Sequence, residues 1–203
     1  MAIDPSTLSA SNWRTELPLL TSRAVTLREP VVQDLGVLVD LFSIGDASCF
    51  GLDSPVSEAG VQEFIEGAQR ARAAGHSFTY VVIPGSARPA VGVVQVRQLD
   101  PVFEGGECEA TLALSSRGTG VFFEAARLVG SFAFGSVGAH RLEARVPLQN
   151  GRANGALRKL GAVQEGVLRR SVRRGGEYID QVLWSVLKED WSEHWVSTGP
   201  RVH

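Results

Sequence analysis

The chain has 203 residues, 44% of them hydrophobic, which is enough to bury one sizeable core and sits within the size of a single domain. Its 20 Lys and Arg against 22 Asp and Glu give a formal net charge of -2, which excludes a long-range pull toward nucleic acid or an anionic membrane and makes any charged site a local one. Two isolated cysteines, Cys49 and Cys108, suit neither a disulfide framework nor a metal site; with no signal-peptide core or membrane-length apolar run, a cytoplasmic location is expected.

Residues 1–20 lack sustained periodicity and read as an irregular leader, with Trp13 and Leu17 as its docking side chains. Alternation from Arg23 to Glu29 marks a strand, and Pro30 then opens a helix whose apolar positions are Val31, Leu35, Leu38, Val39 and Phe42. A second helix follows Ser57, with Val61, Phe64, Ile65 and Ala68 on its buried face. Beyond Gly75 the period changes to two, and a hairpin is expected from Phe78 to Val96 around Pro84-Gly85-Ser86. Glu107 to Leu114 forms the next strand, followed by a turn at Ser115–Gly120. A helix with the stripe Val121, Ala125, Leu128, Val129 and Phe132 then runs until Gly135 and Gly138 break it. Arg141–Pro147 is a strand, Asn150–Leu160 a short helix closed by Gly161, and two late strands flank Gly175-Gly176. The order βαα, three strands, α, β, α, β, β predicts a mixed α/β sheet of about seven strands with about four helices packed on it.

The segment Leu112–Phe123 carries the chemistry. Glycines at 118 and 120 let the backbone turn sharply and leave amide donors at a helix N-terminus, where the helix dipole also favours an anion such as a pyrophosphate. A tight strand-to-helix turn explains the same glycines without a ligand. A dinucleotide fingerprint needs glycine at position 123, which is Phe123, and no Gly-Lys-Ser/Thr follows for a nucleotide triphosphatase.

Several blocks in order resemble the GNAT superfamily of acyl-CoA-dependent N-acyltransferases, in particular the RimJ/RimL type that acetylates protein N-termini. They are Arg117-Gly118-Thr119-Gly120-Val121 with Glu124-Ala125, and Asn150-Gly151-Arg152-Ala153-Asn154 leading to Gly161 and Glu165-Gly166. Gly176 to Asp180, Leu187 to Trp191 and Thr21 to Arg28 complete the set. The resemblance implies a single domain over 21–191, a tail over 192–203, and a central sheet whose strands splay to admit acetyl-CoA. It implies that Arg117, Gly118, Thr119, Gly120 and Val121 hold the pyrophosphate, that the pantetheine arm lies along Leu112, Ala113 and Leu114, and that Asn150 meets its other side. The pattern is incomplete: Ser115 stands where Arg or Gln is usual, and Leu157 and Ala153 occupy the positions of the usual Tyr or Ser acid.

An amine must be neutral to attack a thioester, and an α-amino group with a pKa of about 8 is closer to that state at pH 7 than lysine at about 10.4. Glu109 is the first candidate base and Glu107 the second, both on the strand face opposite Cys108, Ala110, Leu112 and Leu114. Tyr178 is the candidate replacement acid, and Asp180 beside it suits a structural bond as well as a substrate contact. Arg169, Arg170, Arg173 and Arg174 read as a solvated face or as a grip on an acidic acceptor. His76, His140 and His194 are isolated and no metal is expected; Trp184, Trp191 and Trp195 read as packing; nothing at Cys49-Phe50-Gly51 or Asp53 identifies a ligand. The expected activity is acetyl transfer from acetyl-CoA to a primary amine, by direct attack in a ternary complex. The expected acceptor is a protein N-terminus. A small amine (antibiotic, polyamine or amino acid) is the alternative acceptor, and a non-catalytic acyl-CoA sensor the alternative from another class. A homodimer is one admissible assembly, and neither nucleic acid nor membrane is an expected partner.

Overall fold

Alternating β-branched and aromatic side chains between Ser77 and Gln98 produce two strands with nearly every residue buried, which requires cover on both faces. A computed structural model, describing residues 12–44, 47–52, 55–85, 89–174 and 176–191, shows how that cover is supplied. The strands are β1 (Leu20–Thr21), β2 (Val25–Arg28), β3 (Ser77–Pro84), β4 (Gly92–Gln98), β5 (Gly105–Leu112), β6 (Arg141–Pro147), β7 (Val163–Arg174) and β8 (Glu177–Leu187). They form one sheet in the order β1-β2-β3-β4-β5-β6-β8-β7. The helices are α1 (Leu35–Ile44), α2 (Glu58–Ala74), α3 (Val121–Phe132) and α4 (Gly151–Lys159).

Side-chain alternation sorts β3 and β4 between two cores. Phe78, Tyr80, Val82, Val94 and Val96 pack under α3, whereas Val81 and Val93 pack against Leu38, Phe42, Val61 and Ile65 of α1 and α2. Each such fully buried side chain is worth roughly 1.5–3 kcal/mol. The ends of α2 follow their local chemistry: Ser57 Oγ accepts the Gly60 amide at 3.1 Å, and Gly75 closes the helix at φ 79°. Before α1, the Asp34 carboxylate receives both terminal nitrogens of Arg28 at 2.7 Å and the Val31 amide at 2.9 Å.

The feature that makes a site is the only parallel pairing among the described strands. β5 and β6 pair at just three positions, Gly105↔Arg141, Gly106↔Leu142 and Glu107↔Glu143. Past them β5 stays with β4 as far as Leu112↔Gly92, and β6 stays with β8 as far as Pro147↔Gln181, so the sheet opens into a V. Glu107, buried at the last pair, bridges the opening: one carboxylate oxygen meets Arg97 of β4 and the other meets Arg145 of β6, each at 2.7 Å. Beyond it Glu143 and Glu165 flank Arg141, and Ser185 Oγ donates to Glu165 at 2.7 Å.

Four expectations need correction. There are eight strands rather than about seven, because Leu20 and Thr21 pair with Leu27 and Thr26; Trp13, the expected docking side chain, is indeed buried edge-on against Phe78 and Phe103. Gly135 does not stop the helix: α3 widens into a π turn over Ala133–Val137 and ends at Gly138, φ 94°. Val31 lies outside α1, whose buried stripe is Leu38, Leu41 and Phe42. Finally, β5 ends at Leu112, because Leu114–Ser116 winds into a 3-10 turn that leaves Leu114 60% exposed. Asp53, Ser86, Gly175, His194, Trp195 and the 192–203 tail lie outside the described residues. No helix among the described residues is long and apolar enough to cross a membrane.

The Arg141 bond holds the Glu165 carboxyl down to about 2 from its ordinary 4.5, with Ser185 adding a smaller effect. A depressed acid stabilises the fold fully above its unfolded pKa and loses that contribution as pH falls through its folded one. Between about pH 4.5 and 2 the wild type should therefore lose stability more steeply than Glu165→Gln. Acid titration in fixed urea, followed by circular dichroism, checks this; identical slopes would refute it.

Candidate functional site

The V between β5 and β6 opens into a cleft of about 810 Å³, walled by β5, β6, β8, α3 and α4. Its mouth is the turn from β5 to α3. Gly118 and Gly120 have φ 82° and 87°, the left-handed region that costs glycine nothing. A Cβ on either would meet nothing within 4 Å, so torsion rather than crowding demands glycine in the unliganded turn. Thr119 Oγ1 donates to the Ser116 carbonyl at 2.7 Å and the Arg117 amide to the Leu114 carbonyl at 3.2 Å, which fixes the bend. The first amide used inside α3 is that of Glu124, bonded to Gly120. The amides of residues 118–123 therefore have no acceptor among the described residues, and the helix dipole adds partial positive charge at the same place. Arg117, Arg145, Arg152, Lys159 and Arg174 line the cleft against only two carboxylates, Glu109 and Glu143, which suits a polyanionic ligand.

The predicted site residues separate. Leu112, Arg117, Gly118, Gly120, Asn150 and Glu109 line the cleft; Thr119 and Val121 belong to the turn, the latter with its side chain in the core. Ala113 and Leu114 do not continue the strand platform: the Ala113 amide is bonded to Val91, its carbonyl accepts Ser116, and neither residue lines the cleft. Even the Leu112 carbonyl is taken, by Arg117 Nε–H at 3.1 Å. Glu107 lies outside the cleft lining with both oxygens engaged by arginines, a structural clasp rather than an available base. Tyr178 lies 60% exposed near the tip of the β7–β8 hairpin, with the Arg173 guanidinium 6.0 Å from its ring centre, and does not reach the cleft. Asp180 has the structural role, its Oδ1 accepting the Arg170 amide at a bulge where Arg170 has φ 50°. Of the four hairpin arginines only Arg174 lines the cleft.

Three contributors escape sequence reasoning. Cys49, on the 3-10 turn between α1 and α2, reaches the cleft with no signal in its neighbours. Cys108 also lines it, and burial, with smaller effects from the Glu109 and Glu107 carboxylates, pushes its thiol up to about 12, so it supplies no thiolate at neutral pH. Asn154 is the most consequential. It is 8% exposed, its Nδ2 donates to the Pro147 and Asn150 carbonyls at 3.0 and 2.9 Å, and its Oδ1 accepts the Trp184 indole N–H at 2.8 Å. One side chain thus ties the end of β6, the N-terminus of α4 and β8 together. The signal was an amide three residues before Leu157 on the inner face of a short helix. Asn150 caps that helix by accepting the Ala153 amide at 3.1 Å. Among the described residues no His, Cys, Asp or Glu group of three or more is arranged to hold a metal.

Replacing Asn154 with Leu strands the buried Trp184 N–H, at about 1–3 kcal/mol, while the Pro147 carbonyl keeps the Asn150 amide at 2.9 Å. Asn154→Leu is expected to lose roughly 1–3 kcal/mol in urea unfolding followed by tryptophan fluorescence; an unchanged midpoint would remove Asn154 from this role. Comparison with known proteins agrees with the geometry. Residues 24–163 match the family described as Acetyltransferase (GNAT) domain. "Probable N-acetyltransferase YjcK" of Bacillus subtilis (strain 168) is 36% identical over 73 residues, which is 36% of this chain and only 40% of that protein. The solved structure of Mycobacterium smegmatis RimJ in complex with CoA-disulfide superposes with TM-score 0.74 at 18% identity, covering 90% of this chain and 93% of that one. A spermidine N-acetyltransferase SpeG chimera from Vibrio cholerae and hSSAT gives 0.72 at 19% identity, covering 84% and 99%. With the parted strands, the open amides and the family match in agreement, the chain belongs to the GNAT family and is an acetyltransferase.

Proposed function

We propose that this acetyltransferase acts on the α-amino group of a protein or peptide N-terminus. The observation that carries the site assignment is the run of unpaired amides over residues 118–123, facing a cleft between strands that have let go of each other. In this reading the amides of Gly118 to Val121 and the guanidinium of Arg117 hold the donor pyrophosphate. The β5 edge from Leu112 toward Cys108 guides the pantetheine arm, with Asn150 on the opposite wall.

The reaction follows from placement. The amine nitrogen attacks the thioester carbonyl carbon, a C–N bond forms, the C–S bond breaks, one amine proton is lost to base, and coenzyme A leaves as the thiol. Glu109 is the base in this scheme, directly or through water: it is half-buried, lines the cleft, and lies on the face turned toward α1 and α2. With the Cys108 thiol raised to about 12, that residue offers no thiolate for an acyl-cysteine relay, which is in keeping with direct attack. An N-terminus is favoured because its amine, with a pKa of about 8, is closer to neutral at pH 7 than an alkylamine such as lysine at about 10.4 and asks less of the base. The RimJ fold match is in keeping with that reading. A small polyamine is the second reading, favoured by the Glu109 and Glu143 carboxylates in the cleft and by the shared fold of the spermidine enzyme.

Mass spectrometry after incubation with acetyl-CoA, a peptide library and polyamines decides between the acceptors; exclusive mass gain on polyamines would overturn the first. Glu109→Gln is expected to lower kcat by about 10²-fold and to flatten the acid limb of the pH–rate profile, and an unchanged profile would reject this base. Gly120→Val, which forces a β-branched residue to positive φ and obstructs the amide cradle, should weaken coenzyme A binding by about tenfold or more in calorimetry.

A further inference from the structure

The cleft does not stop where the strands part. Leu142 pairs with Gly106 inside the closed part of the sheet, yet it still lines the cavity, as do Val94 on β4, Val129 on α3 and Trp191 near the end of the described chain. These four are only 2–9% exposed and belong to the core, so the cleft reaches inward here as an apolar chamber between the sheet and α3. Cys108 and Ala126 complete its wall without filling it. Trp191 closes the far end: its ring packs so near Gly130 that a Cβ there would lie 2.5 Å from it, and its Nε1–H donates to Ser131 Oγ at 3.4 Å.

We propose that this chamber receives the acyl chain of the donor and that the enzyme takes four- to six-carbon acyl groups at least as well as acetyl. The inference rests on the donor orientation given above. With the pyrophosphate at the glycine turn, the donor runs back along β5 from Leu112 to Cys108, about 13 Å, with its sulfur at the level of Ala110 and its acyl carbons beyond. That brings the thioester to the parting point, and the next space along the same line is the chamber. It is continuous with the donor site, it lies opposite the α1–α2 face on which Glu109 sits, and its lining is apolar. An apolar chamber holds water poorly and a hydrocarbon well. Along α3 it spans Ala126 to Gly130, about 6 Å of helix, which accommodates roughly four to five carbons. The exchange is otherwise unchanged: the acyl C–S bond breaks, the C–N bond forms, and the amine proton ends on the released thiol.

The test reads donor binding, so it needs no knowledge of the acceptor. Dissociation constants for coenzyme A and its acetyl, butyryl and hexanoyl thioesters are measured by calorimetry on the intact protein. Each buried methylene is worth up to about fourfold in affinity, and hexanoyl-CoA is expected to bind at least tenfold more tightly than acetyl-CoA. Ala126→Leu, which fills the chamber, should bring the hexanoyl-to-acetyl ratio toward one; Trp191→Ala, which opens its end, should move the optimum to a longer chain. Acetyl-CoA binding as tightly as or more tightly than hexanoyl-CoA would overturn the proposal while leaving the donor site intact. A hexanoyl preference untouched by both variants would also overturn it, since the chain then lies elsewhere. Failure of every thioester and of coenzyme A itself to bind would remove the donor orientation as well.

Discussion

Glu107 is the group on which the architecture of the cleft depends. A sheet whose central strands separate exposes two rows of backbone donors and acceptors, and nothing in strand pairing alone says where the separation begins. Here it begins at a carboxylate with an arginine on each side, Arg97 from β4 and Arg145 from β6. The clasp joins the two halves of the sheet through side chains at the point where the backbone ladder gives out. Its worth lies in that location: both arginines are partly exposed, so the charges are screened, but removing Glu107 would leave two cations facing each other at the hinge. Asn154 performs the corresponding task on the β6 side, holding α4 and β8 against the end of the diverging strand through neutral hydrogen bonds.

The glycine turn couples to this frame. Positive φ at 118 and 120 costs nothing in glycine, and the amides of the turn find no acceptor among the described residues. Such donors are solvated in the free protein and become strong when a charged acceptor replaces the water. Because the turn is anchored by Thr119 to Ser116 and by Arg117 to Leu112, the donors are ordered before a ligand arrives, which lowers the entropic cost of binding one.

What the sequence disclosed follows from which interactions are local. The helix starts at Ser57, Gly120 and Asn150, and the helix ends at Gly75, Gly138 and Gly161, depend on a few neighbouring residues, and each was legible. Two-residue alternation likewise gave β3, β4 and β6. The residues whose meaning is set across the sheet were not legible. Glu107 and Glu109 look equivalent on one strand face, yet Arg145, 38 positions away from Glu107, takes one into an ion pair while the other reaches the cleft. Tyr178 looked available because few tyrosines compete with it, but its hairpin carries it beyond the body of the sheet, with β6 pairing β8 only from Gln181 onward. The short β1 carried no periodic signal because two residues cannot show a period.

The missing acid bears on where the thiolate can leave. Leu157 and Ala153 line the cleft at the positions where the family resemblance implies a proton donor, and neither can supply a proton. A thiolate is an acceptable leaving group in water because its conjugate acid has a pKa of about 8.5. Buried beside two carboxylates it is a worse one, for the same reasons that push the Cys108 thiol up: desolvation first, then the Glu109 and Glu107 charges. Departure at the depth of Cys108 would meet that same desolvation, whereas Ala110, two residues nearer the mouth, is exposed. Sulfur at the level of Ala110, with the acyl carbon pointing inward, therefore reconciles an apolar chamber for the chain with a hydrated place for the negative charge. It also removes the need for a tyrosine, since water at the mouth can deliver the proton.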